Sequence, residues 1–515
     1  MRTEDGGRRT EQASVFGPPS SVKQAMQLFS LLHTGHFIAG QERPSANEAI
    51  FEVLNPSSEA QLGTAARGDA ADAETAVQAA RRAFPGWASL PPAARERILL
   101  QTADAVEANA GRFIDLLIDE SGSTISKARH EVTYGANLLR AAAGEARRLY
   151  GDTFPNDKPH RLSLVVREPM GVVVAISPFN APLVLLVKMI AFALAAGNCV
   201  IAKPSEETPL VAVELARVLH QAGLPPGVFN VVTGYGAECG TALVAHPGIN
   251  AIAFTGSTAT GVRIAQAAAP HMHRLQLELG GKNPLLVLAD IDPVAAAETA
   301  VVGAFFHGGQ ICMSSARILA ERSIARPFAE ALAQKAAALP LGDLRDPATA
   351  YGPLINRAAL LKVERHVADA VAQGAELLSG GQPQHGLTYR PTVLWQPPRQ
   401  TAVWCEETFG PVTAVVPVAD LDEAIALANE SDYGLSAGIL TNDLQRGLTA
   451  ARRIRSGAVH VGMHSFQSDA LAPIGGYGLS GYGRSGGKYS VEQFTELKWI
   501  SVELGDGGPE TEGRG

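Results

Sequence analysis

The chain has 515 residues, 46% of them hydrophobic and 18% charged, so it can bury large apolar cores, and its length predicts about three domains. A formal net charge of −8 is small for this length, and no basic run is interleaved with aromatic residues, so a nucleic-acid partner is excluded. The four cysteines are scattered without CxxC spacing, which predicts free thiols in a reducing compartment, the cytoplasm, without structural zinc.

Two kinds of segment are set aside before the fold is considered. Residues 1–21 and 505–515 are polar and glycine-rich, and neither contains an apolar core for export, so both are predicted to be disordered tails. Residues 181–201 form an apolar run long enough to span a bilayer, but Lys188 and the pair Gly197-Asn198 interrupt it. A helix to Ala196, a turn and a buried strand explain the same run, so no membrane segment is predicted.

The pattern of the remaining residues predicts a helical layer first and then alternating strands and helices. Residues 69–150 are helical in pattern, with interruptions at Pro85, Pro91-Pro92, Gly111 and Gly122, and residues 151–167 contain an exposed strand pair. Short apolar strands then alternate with helices, which predicts a parallel, helix-covered sheet. These strands are residues 172–176, 199–203, 228–233, 251–255 and 275–279.

A second α/β series runs from residue 284 to about residue 461, so two sheet domains fit better than one. The glycine-dense residues 475–487 are predicted to be a surface loop that precedes no helix, and residues 499–504 to form a final strand. His271 and His273 have no third ligand in a metal-binding pattern, and no metal is assigned.

Cys312 is the first candidate for chemistry. It follows a helical run that ends at Gly308 and Gly309, and two serines come after it. A lone cysteine is usually a small buried apolar residue, but the low side-chain bulk here would let a substrate carbonyl approach. Cys312 is therefore a candidate nucleophile, with a structural cysteine as the alternative.

Two polar residues at strand ends are candidates for supporting roles. Glu278 lies where an apolar strand stops at two glycines, and it is either a paired surface charge or a general base. Asn180 follows another strand, where its amide either caps the next helix or donates to an oxyanion.

Three further positions suggest a ligand that carries phosphate. The turn Gly256-Ser-Thr-Ala-Thr-Gly261 follows a strand and opens a helix, but it lacks the GxGxxG spacing, so a structural turn remains the alternative. Lys203 and Glu206 follow another strand, and the carboxyl ends of such strands are where open α/β sheets hold ligands.

Together these stretches resemble the aldehyde dehydrogenase superfamily, in order from about Phe37 to Leu504. The sequences that carry the resemblance are Ser177-Pro-Phe-Asn180, Lys203-Pro-Ser-Glu206, Gly256-Ser-Thr258 with Gly261, Glu278-Leu-Gly-Gly281, Gly309-Gln-Ile-Cys312, Glu407-Thr-Phe-Gly-Pro411 and Pro473-Ile-Gly-Gly476. The resemblance implies a Rossmann-like parallel-sheet cofactor domain, a second α/β catalytic domain and a small β oligomerisation arm.

The resemblance also implies residue roles. Cys312 is the nucleophile, Glu278 the base and Asn180 the oxyanion donor. The implied cofactor is NAD, with NADP as the alternative, and its ligands are Ser177, Phe179, Lys203, Glu206, Gly256, Ser257, Gly261, Leu279, Glu407 and Phe409. The implied substrate pocket consists of Ala181, Val184, Leu185, Val187, Ile311, Met313 and Ile474. A plain apolar core is the alternative explanation for the pocket residues.

The domain boundaries and the assembly follow from the same resemblance. The ranges are 22–146 and 169–280 for the NAD-binding domain, 147–168 and 495–504 for the oligomerisation arm, 281–480 for the catalytic domain and 481–494 for a return segment. A homodimer or homotetramer is expected.

Two departures from the family pattern concern the substrate. Phe179 replaces the common tryptophan and Ile474 the common phenylalanine, so the pocket is expected to be wide and aliphatic. The sequences around Cys312 and over residues 480–484 resemble the benzaldehyde, salicylaldehyde and vanillin dehydrogenase branch, which favours an aromatic aldehyde. The alternatives are a medium-chain aliphatic aldehyde or a semialdehyde, and, less favoured, a CoA-acylating enzyme or a structural member without activity.

Overall fold

The computed structural model describes residues 31–504, and the two predicted tails lie outside this range. Two mainly parallel sheets, each covered by helices, dominate the chain, which confirms the predicted α/β class. All four cysteines are free. Within residues 31–504, no helix combines the length and the apolarity needed to cross a bilayer.

The first sheet has eight strands. In spatial order they are Gly481–Tyr482, Arg274–Glu278, Ala251–Thr255, Val172–Ile176, Cys199–Lys203, Phe229–Val231, His36–Ile38 and Gln41–Arg43. The five central strands are parallel, and the strands that flank them are antiparallel. Chain order reverses at Val172–Ile176, which pairs with Cys199–Lys203 on one side and with Ala251–Thr255 on the other. Such a reversal opens a ligand crevice at the carboxyl ends of the strands.

Helices enclose this sheet and bury its largest apolar cluster. They are Ala70–Ala88, Pro92–Ala108, Ala110–Ser121, Ile125–Ala146, Pro182–Ala195, Pro209–Gln221, Thr241–Val244, Thr258–Ala268 and Gly487–Gln493. Asp69 and Asp72 form a capping box at the first helix, and Gly122 ends the third in the left-handed conformation. The predicted helical layer and the helix-turn-strand reading of residues 181–201 are both confirmed.

Three details of the sequence prediction are wrong. Pro85 does not end its helix, which continues to Ala88, so the loss of the one backbone hydrogen bond that a proline cannot donate is tolerated there. Gly111 is the second residue of Ala110–Ser121 and faces open space. The glycine-dense residues 475–487 do precede a helix, Gly487–Gln493, and they also contribute short strands to the sheets.

The second sheet has seven strands. In spatial order they are Glu376–Ser379, Thr392–Trp395, Val412–Val418, Ser315–Glu321, Asn283–Val287, Ser436–Leu440 and Ala458–Val461. Alternate side chains of the strand Asn283–Val287 enter different cores: Leu285 and Val287 lie in one cluster, and Leu286 lies in another. This alternation is the two-residue period of a strand covered on both faces. The covering helices are Pro293–Phe305, Arg322–Ala337, Arg357–Ala372, Ala402–Cys405, Leu421–Asn429 and Leu444–Arg453.

A three-stranded antiparallel sheet extends from this body. It consists of Asp152–Phe154, Arg161–Pro169 and Thr495–Glu503, so the predicted strand pair and the predicted final strand belong to one sheet. The remaining strands form a second three-stranded sheet and two antiparallel two-stranded sheets. They are Leu32–Thr34, Ile50–Leu54, Gln61–Ala66, Pro383–His385, Thr388–Tyr389, Tyr433–Gly434 and Tyr477–Gly478.

Candidate active site

The site lies where the two large sheets face each other. The strand Arg274–Glu278 ends the first sheet, and after four residues the strand Asn283–Val287 begins inside the second. The carboxyl ends of the parallel strands in the first sheet therefore meet the amino ends of the strands in the second. A Cβ on Gly280 would lie 2.5 Å from Glu407 Oε2, and one on Gly281 would lie 2.6 Å from the Cys312 carbonyl oxygen. These two glycines permit the close approach that their place after Glu278 predicted.

Cys312 follows a tightly held turn. The backbone is left-handed at His307, Gly308 and Gly309, with φ of 51°, 62° and 69°. A Cβ on Gly309 would lie 2.1 Å from the Gly410 carbonyl oxygen, so only glycine fits there. This turn joins the helix Pro293–Phe305 to the strand Ser315–Glu321 and projects the residue between them into the space between the sheets.

The backbone around the thiol is fixed by two side chains that are remote in the chain, one from a strand and one from a loop. Asn283 Nδ2 donates to the carbonyl oxygens of Cys312 and Ser314, at 2.8 and 2.9 Å. Ser465 Oγ donates to the carbonyl oxygen of Met313 at 2.7 Å. With three consecutive carbonyl groups held, the direction of the Cys312 side chain is set by the fold rather than by the residue itself.

Asn180 reaches the same turn from the first sheet. Its Nδ2 donates to the Gln310 carbonyl oxygen at 2.8 Å. It does not cap the following helix, since Ala181 is the N-cap residue and makes no side-chain cap bond. An amide nitrogen carries two hydrogens, so one remains to donate toward an oxygen bound at Cys312.

Glu278 is half-buried beside the thiol, and its Oε1 atom is shielded from solvent. Burial raises the pKa of its carboxyl to about 7, while the positive charges of Lys188 and Arg484 oppose that rise. Its Oε1 has no hydrogen-bond partner among residues 31–504. A carboxyl with a pKa near neutrality and a free acceptor oxygen is suited to general-base chemistry.

The surroundings of Cys312 favour its thiol over its thiolate. Burial raises its pKa to about 12, the negative charges of Glu407 and Glu278 add to the effect, and Lys188 opposes it. Thiolate chemistry here requires a nearby base or additional positive charge.

Two cavities meet at Cys312. One, of about 190 Å³, opens toward the first sheet and is lined by Phe179, Asn180, Gly256, Ser257, Leu279, Lys362, Glu407 and Phe409, among others. The other, of about 50 Å³, is lined by Leu185, Lys188, Glu278, Met313, Leu435 and Ile474, among others. Cys312 lines both, so a group bound in either cavity can reach the sulfur.

The larger cavity contains most of the residues expected to hold a dinucleotide. Phe179 and Phe409 meet edge to face with ring centroids 5.8 Å apart, and Phe409 is held at a φ of 55°. Glu407 Oε1 accepts from the Gly281 N–H at 3.0 Å, and Lys362 Nζ donates to the Glu407 carbonyl oxygen at 2.6 Å. Lys362 was not identified from the sequence because nothing local distinguishes it from any other helical lysine.

Three other residues expected at the cofactor, Ser177, Gly256 and Gly261, also have roles in the fold itself. The Gly256 N–H donates to the Glu278 carbonyl oxygen at 3.0 Å, and the Ser177 N–H to that of Lys203 at 3.1 Å, so both tie strand ends together. A Cβ on Gly261 would lie 2.6 Å from Leu279 Cδ2, so this glycine allows the helix Thr258–Ala268 to pack closely.

Ser257, Lys203 and Glu206, also expected at the cofactor, form a helix cap and an ion pair near neighbouring strand ends. Ser257 caps the helix Thr258–Ala268 by accepting from the Thr260 N–H. Lys203 Nζ donates to Glu206 Oε2 at 3.2 Å, and the Glu206 side chain is 42% exposed. The donors and the partly exposed carboxylate at these strand ends fit the phosphates and ribose of a dinucleotide.

The expected substrate residues divide into two groups. Leu185, Met313 and Ile474 line the smaller cavity, and Ile311 packs with Met313 in a cluster that includes Cys312. Val187 is fully buried in the core of the first sheet, so the expectation that it lines a route to the thiol is wrong.

Val184 and Ala181 lie at the start of the helix after Asn180. Val184 is also buried in that core, and its N–H donates to Glu131 Oε2 at 3.3 Å. Ala181 is half-buried against the same core. Neither is among the residues that line the two cavities at Cys312.

Aromatic residues that the sequence did not reveal also reach this region. Phe306 and Phe466 pack against the cluster of Ile311, Cys312 and Met313, and their rings stack with centroids 5.3 Å apart. Phe466 comes from a distant loop, so only the folded chain brings it here. The surroundings of the thiol are therefore more aromatic than the aliphatic pocket predicted from the sequence.

Comparison with known proteins agrees with this geometry. The aldehyde dehydrogenase family model matches residues 43–500. A vanillin dehydrogenase from Pseudomonas fluorescens is 39% identical over 471 residues, 91% of this chain and 97% of the relative. A glutarate-semialdehyde dehydrogenase from Pseudomonas putida is 34% identical over 468 residues, 91% of this chain and 97% of the relative.

Among solved structures, a betaine aldehyde dehydrogenase from Staphylococcus aureus in complex with NAD+ superposes with a TM-score of 0.90. It is 32% identical and covers 95% of this chain and 98% of its own. The chain therefore belongs to the aldehyde dehydrogenase family, as the sequence resemblance indicated, and aldehyde oxidation is the activity that this membership assigns to it.

Proposed function

We propose that the protein oxidises an aromatic or bulky apolar aldehyde to its carboxylic acid with NAD, through a covalent intermediate on Cys312. The observation that carries the proposal is the position of Cys312 at the junction of two cavities, with Asn180 beside one and Glu278 beside the other. An oxyanion donor and a base that follow or end strands of the first sheet thus converge on a nucleophile in a loop of the second.

The residues divide the reaction between them. The Cys312 thiol first releases its proton to solvent, and the thiolate then attacks the aldehyde carbon. The Asn180 amide and the Cys312 N–H stabilise the oxygen of the thiohemiacetal. A bound nicotinamide would supply the acceptor for the hydride that leaves this carbon, and Cys312 would then carry the acyl group as a thioester. Glu278 then takes a proton from the water that attacks the thioester carbonyl. Release of the acid restores the thiol.

The cofactor is assigned to the larger cavity. Phe179, Glu407 and Phe409 would hold the nicotinamide half beside Cys312, with Leu279 against the ring. The cap of the helix Thr258–Ala268, from Gly256 to Gly261, would lie against the diphosphate. Lys203 and Glu206 would bind the adenosine ribose, and the Glu206 carboxylate favours NAD over NADP because it would repel a 2′-phosphate.

The substrate assignment relies on the smaller cavity and its rim. Met313, Leu435 and Ile474 are apolar, and the stacked rings of Phe306 and Phe466 offer a surface on which another ring can pack. The relative that acts on vanillin supports an aromatic aldehyde, whereas the relative that acts on glutarate semialdehyde supports the second candidate, a semialdehyde. A medium-chain aliphatic aldehyde is the third.

The test is kcat/KM for benzaldehyde, glutarate semialdehyde, octanal and acetaldehyde, measured side by side. Benzaldehyde is expected to exceed acetaldehyde by at least about 10-fold, since each buried ring edge or methylene contributes roughly 1 to 3 kcal/mol. Ile474→Phe should lower benzaldehyde activity, with Leu448→Phe on an exposed surface as the control. A preference for acetaldehyde, or benzaldehyde activity indifferent to Ile474→Phe, would contradict the aromatic assignment.

Two other functions are tested in the same assay. A CoA-acylating enzyme would release its thioester to a thiol, so NADH formation would depend on CoA, whereas Glu278 supports hydrolysis by water. A structural protein without activity would give no NADH with any aldehyde. The presence of Cys312, Glu278 and Asn180 in one site argues against that outcome.

We also propose that the three-stranded sheet is an oligomerisation arm. Its strands expose large apolar side chains, among them Leu497 at 60% and Trp499 at 62% exposure, and Phe154 contacts Trp499 with ring centroids 6.4 Å apart. Surfaces of this kind mark protein contacts. Light scattering should give a homodimer or homotetramer for the wild type and smaller species for Trp499→Ser; a wild-type monomer would contradict the arm.

The domain division expected from the sequence is retained as part of this proposal. The NAD-binding ranges contain seven strands of the eight-stranded sheet, whose eighth strand, Gly481–Tyr482, lies in the return segment. The catalytic range contains the whole seven-stranded sheet. The four free cysteines support a cytoplasmic location, where thiols stay reduced.

A further inference from the structure

Lys188 is a buried charge that the mechanism above does not use. It lies in the helix Pro182–Ala195, about two turns after Asn180, where nearly all other side chains are apolar. The residue is only 7% exposed. It lines the same small cavity as Glu278 and Cys312, so its side chain extends toward the two groups on which the chemistry depends.

A lysine in this position needs compensation. Moving an ammonium group from water into a protein costs several kcal/mol unless an opposite charge or hydrogen bonds replace its hydration. Burial lowers the pKa of Lys188, and the negative charges of Glu278 and Cys312 oppose that change. Glu278 is therefore its main counter-charge, and the Cys312 sulfur adds to it when it is ionised.

The same coupling is seen from the other two groups. Lys188 is the largest of the charges that oppose the raised pKa of Glu278, ahead of Arg484. It is also the positive charge that opposes the raised pKa of Cys312, against Glu407 and Glu278. Glu131, on the packed helix Ile125–Ala146, is paired with Lys127.

The three groups act across a space rather than through direct contact. Within residues 31–504, the Lys188 side chain and Glu278 are not joined by a hydrogen bond or a close ion pair, and Glu278 Oε1 has no hydrogen-bond partner. The cavity between them has a volume of about 50 Å³. A water needs roughly 10 to 15 Å³ of such volume, so a few waters fit between the charged groups. The charges can therefore interact through these waters and through their electrostatic field.

We propose that Lys188 is a positioning residue whose ammonium group is the shared counter-charge of Glu278 and Cys312, favouring the carboxylate of one and the thiolate of the other. The inference rests on the proposed function for the roles of these two groups. Lys188 also lines the cavity assigned to the substrate, but the proposed role does not depend on contact with the substrate and involves no covalent step.

The test compares Lys188→Met, which removes the charge at similar volume, with Lys188→Arg, which keeps it. Both are made in a Cys405→Ser background, because Cys405 is the exposed cysteine that would otherwise react. The rate of alkylation of Cys312 by iodoacetamide is followed by mass spectrometry from pH 6 to pH 10. This readout needs neither an aldehyde nor a cofactor.

We expect Lys188→Met to alkylate about 10-fold more slowly than the parent at pH 8, with its profile displaced to higher pH. Lys188→Arg should remain within about 3-fold of the parent. In NADH assays the Met variant should show a slower steady state after its burst. If the Met variant does not fold, Lys188→Gln, which is also neutral, takes its place with the same expectation.

Three results would overturn the inference. One is an alkylation profile of the Met variant that matches the parent. Another is an Arg variant as slow as the Met variant, which would point to shape rather than charge. The third is a loss confined to aldehydes that carry a carboxylate, which would make Lys188 a substrate ligand. If the wild type oxidises no aldehyde, the proposed function fails, while alkylation still reports on Lys188.

Discussion

The two large sheets contribute to the site in different ways. In the eight-stranded sheet, Asn180, Lys203, Gly256 and Glu278 each end a parallel strand or follow one within a few residues. In the seven-stranded sheet, Cys312 lies in a loop that precedes a strand and follows a left-handed turn fixed by distant residues. The residues of the eight-stranded sheet, here called the strand side of the site, are placed by their position at strand ends. Cys312 and the turn before it, here called the loop side, are placed by packing against residues remote in the chain.

This difference predicts which changes act on chemistry alone and which also disturb the structure. Residues at strand ends can lose a functional group while the sheet beneath them persists. Residues in the packed loops have backbone neighbours within contact distance, so a change of shape there reaches the thiol.

The largest effect is expected at the loop side, from Cys312→Ala. Loss of the sulfur removes the covalent intermediate, so NADH formation should fall by at least about three orders of magnitude. NAD affinity, measured by calorimetry, should change little because the thiol is small. Cys405→Ala, an exposed position, is the control and should keep its activity. Residual activity of more than a few per cent in Cys312→Ala would contradict the nucleophile assignment.

The next effect is expected at the strand side, from Glu278→Gln. The amide keeps the shape but cannot take a proton from water, so a stoichiometric burst of NADH should be followed by turnover about 100-fold slower than in the wild type. Since the carboxyl pKa is raised to about 7 and the base acts when ionised, wild-type deacylation should rise with pH through about 7 and then level off. The Gln variant should lack this dependence.

Stopped-flow measurement of NADH separates the burst from the steady state. Loss of the burst itself in Glu278→Gln would mean that the carboxylate serves Cys312 or cofactor binding instead of the thioester step. Persistence of the pH dependence in the Gln variant would assign it to another group.

A smaller but structural effect is expected from Gly309→Ala. The alanine would have to keep the backbone φ of 69°, and its Cβ would lie 2.1 Å from the Gly410 carbonyl oxygen. The turn before Cys312 must therefore shift. We expect a loss of about 2 kcal/mol or more in unfolding free energy, together with reduced activity. In Gly308→Ala the φ is similar, but the nearest atom is Tyr351 Cδ2 at 3.1 Å, so it should cost only about 1 kcal/mol. Equal losses in the two variants would contradict the packing argument.

The sequence predicted the strand side of this comparison well. Alternating apolar strands and helices placed Glu278, Asn180 and Lys203 at strand ends, and the carboxyl ends of neighbouring parallel strands lie on one edge of a sheet. The two glycines after Glu278 indicated a close approach, and both Glu407 and the Cys312 carbonyl approach them. The roles of these residues came from the family resemblance, not from spacing.

The loop side was less predictable because its neighbours are remote in the chain. Phe466, Lys362 and Asn283 reach the site from segments with no local feature that marks them. Lys188 did leave a signal, a charge within an apolar run, but it served only to argue against a membrane span. Val187 was misplaced because an apolar helix after Asn180 gives no indication of which face meets the cavity and which the core.

The smallest effect is expected from Glu206→Gln at the strand side. Its carboxylate is 42% exposed and accepts from Lys203 Nζ at 3.2 Å, so solvent and Lys203 both weaken its repulsion of a 2′-phosphate. The change should raise the ratio of kcat/KM with NADP to that with NAD by roughly 10-fold, which is about 1.4 kcal/mol. Glu207→Gln is the matched control, because that carboxylate is already engaged with Asn356 Nδ2 at 2.6 Å, and the ratio should not move. A wild type that uses both cofactors equally, or a ratio shifted alike by the two variants, would show that Glu206 does not determine cofactor choice.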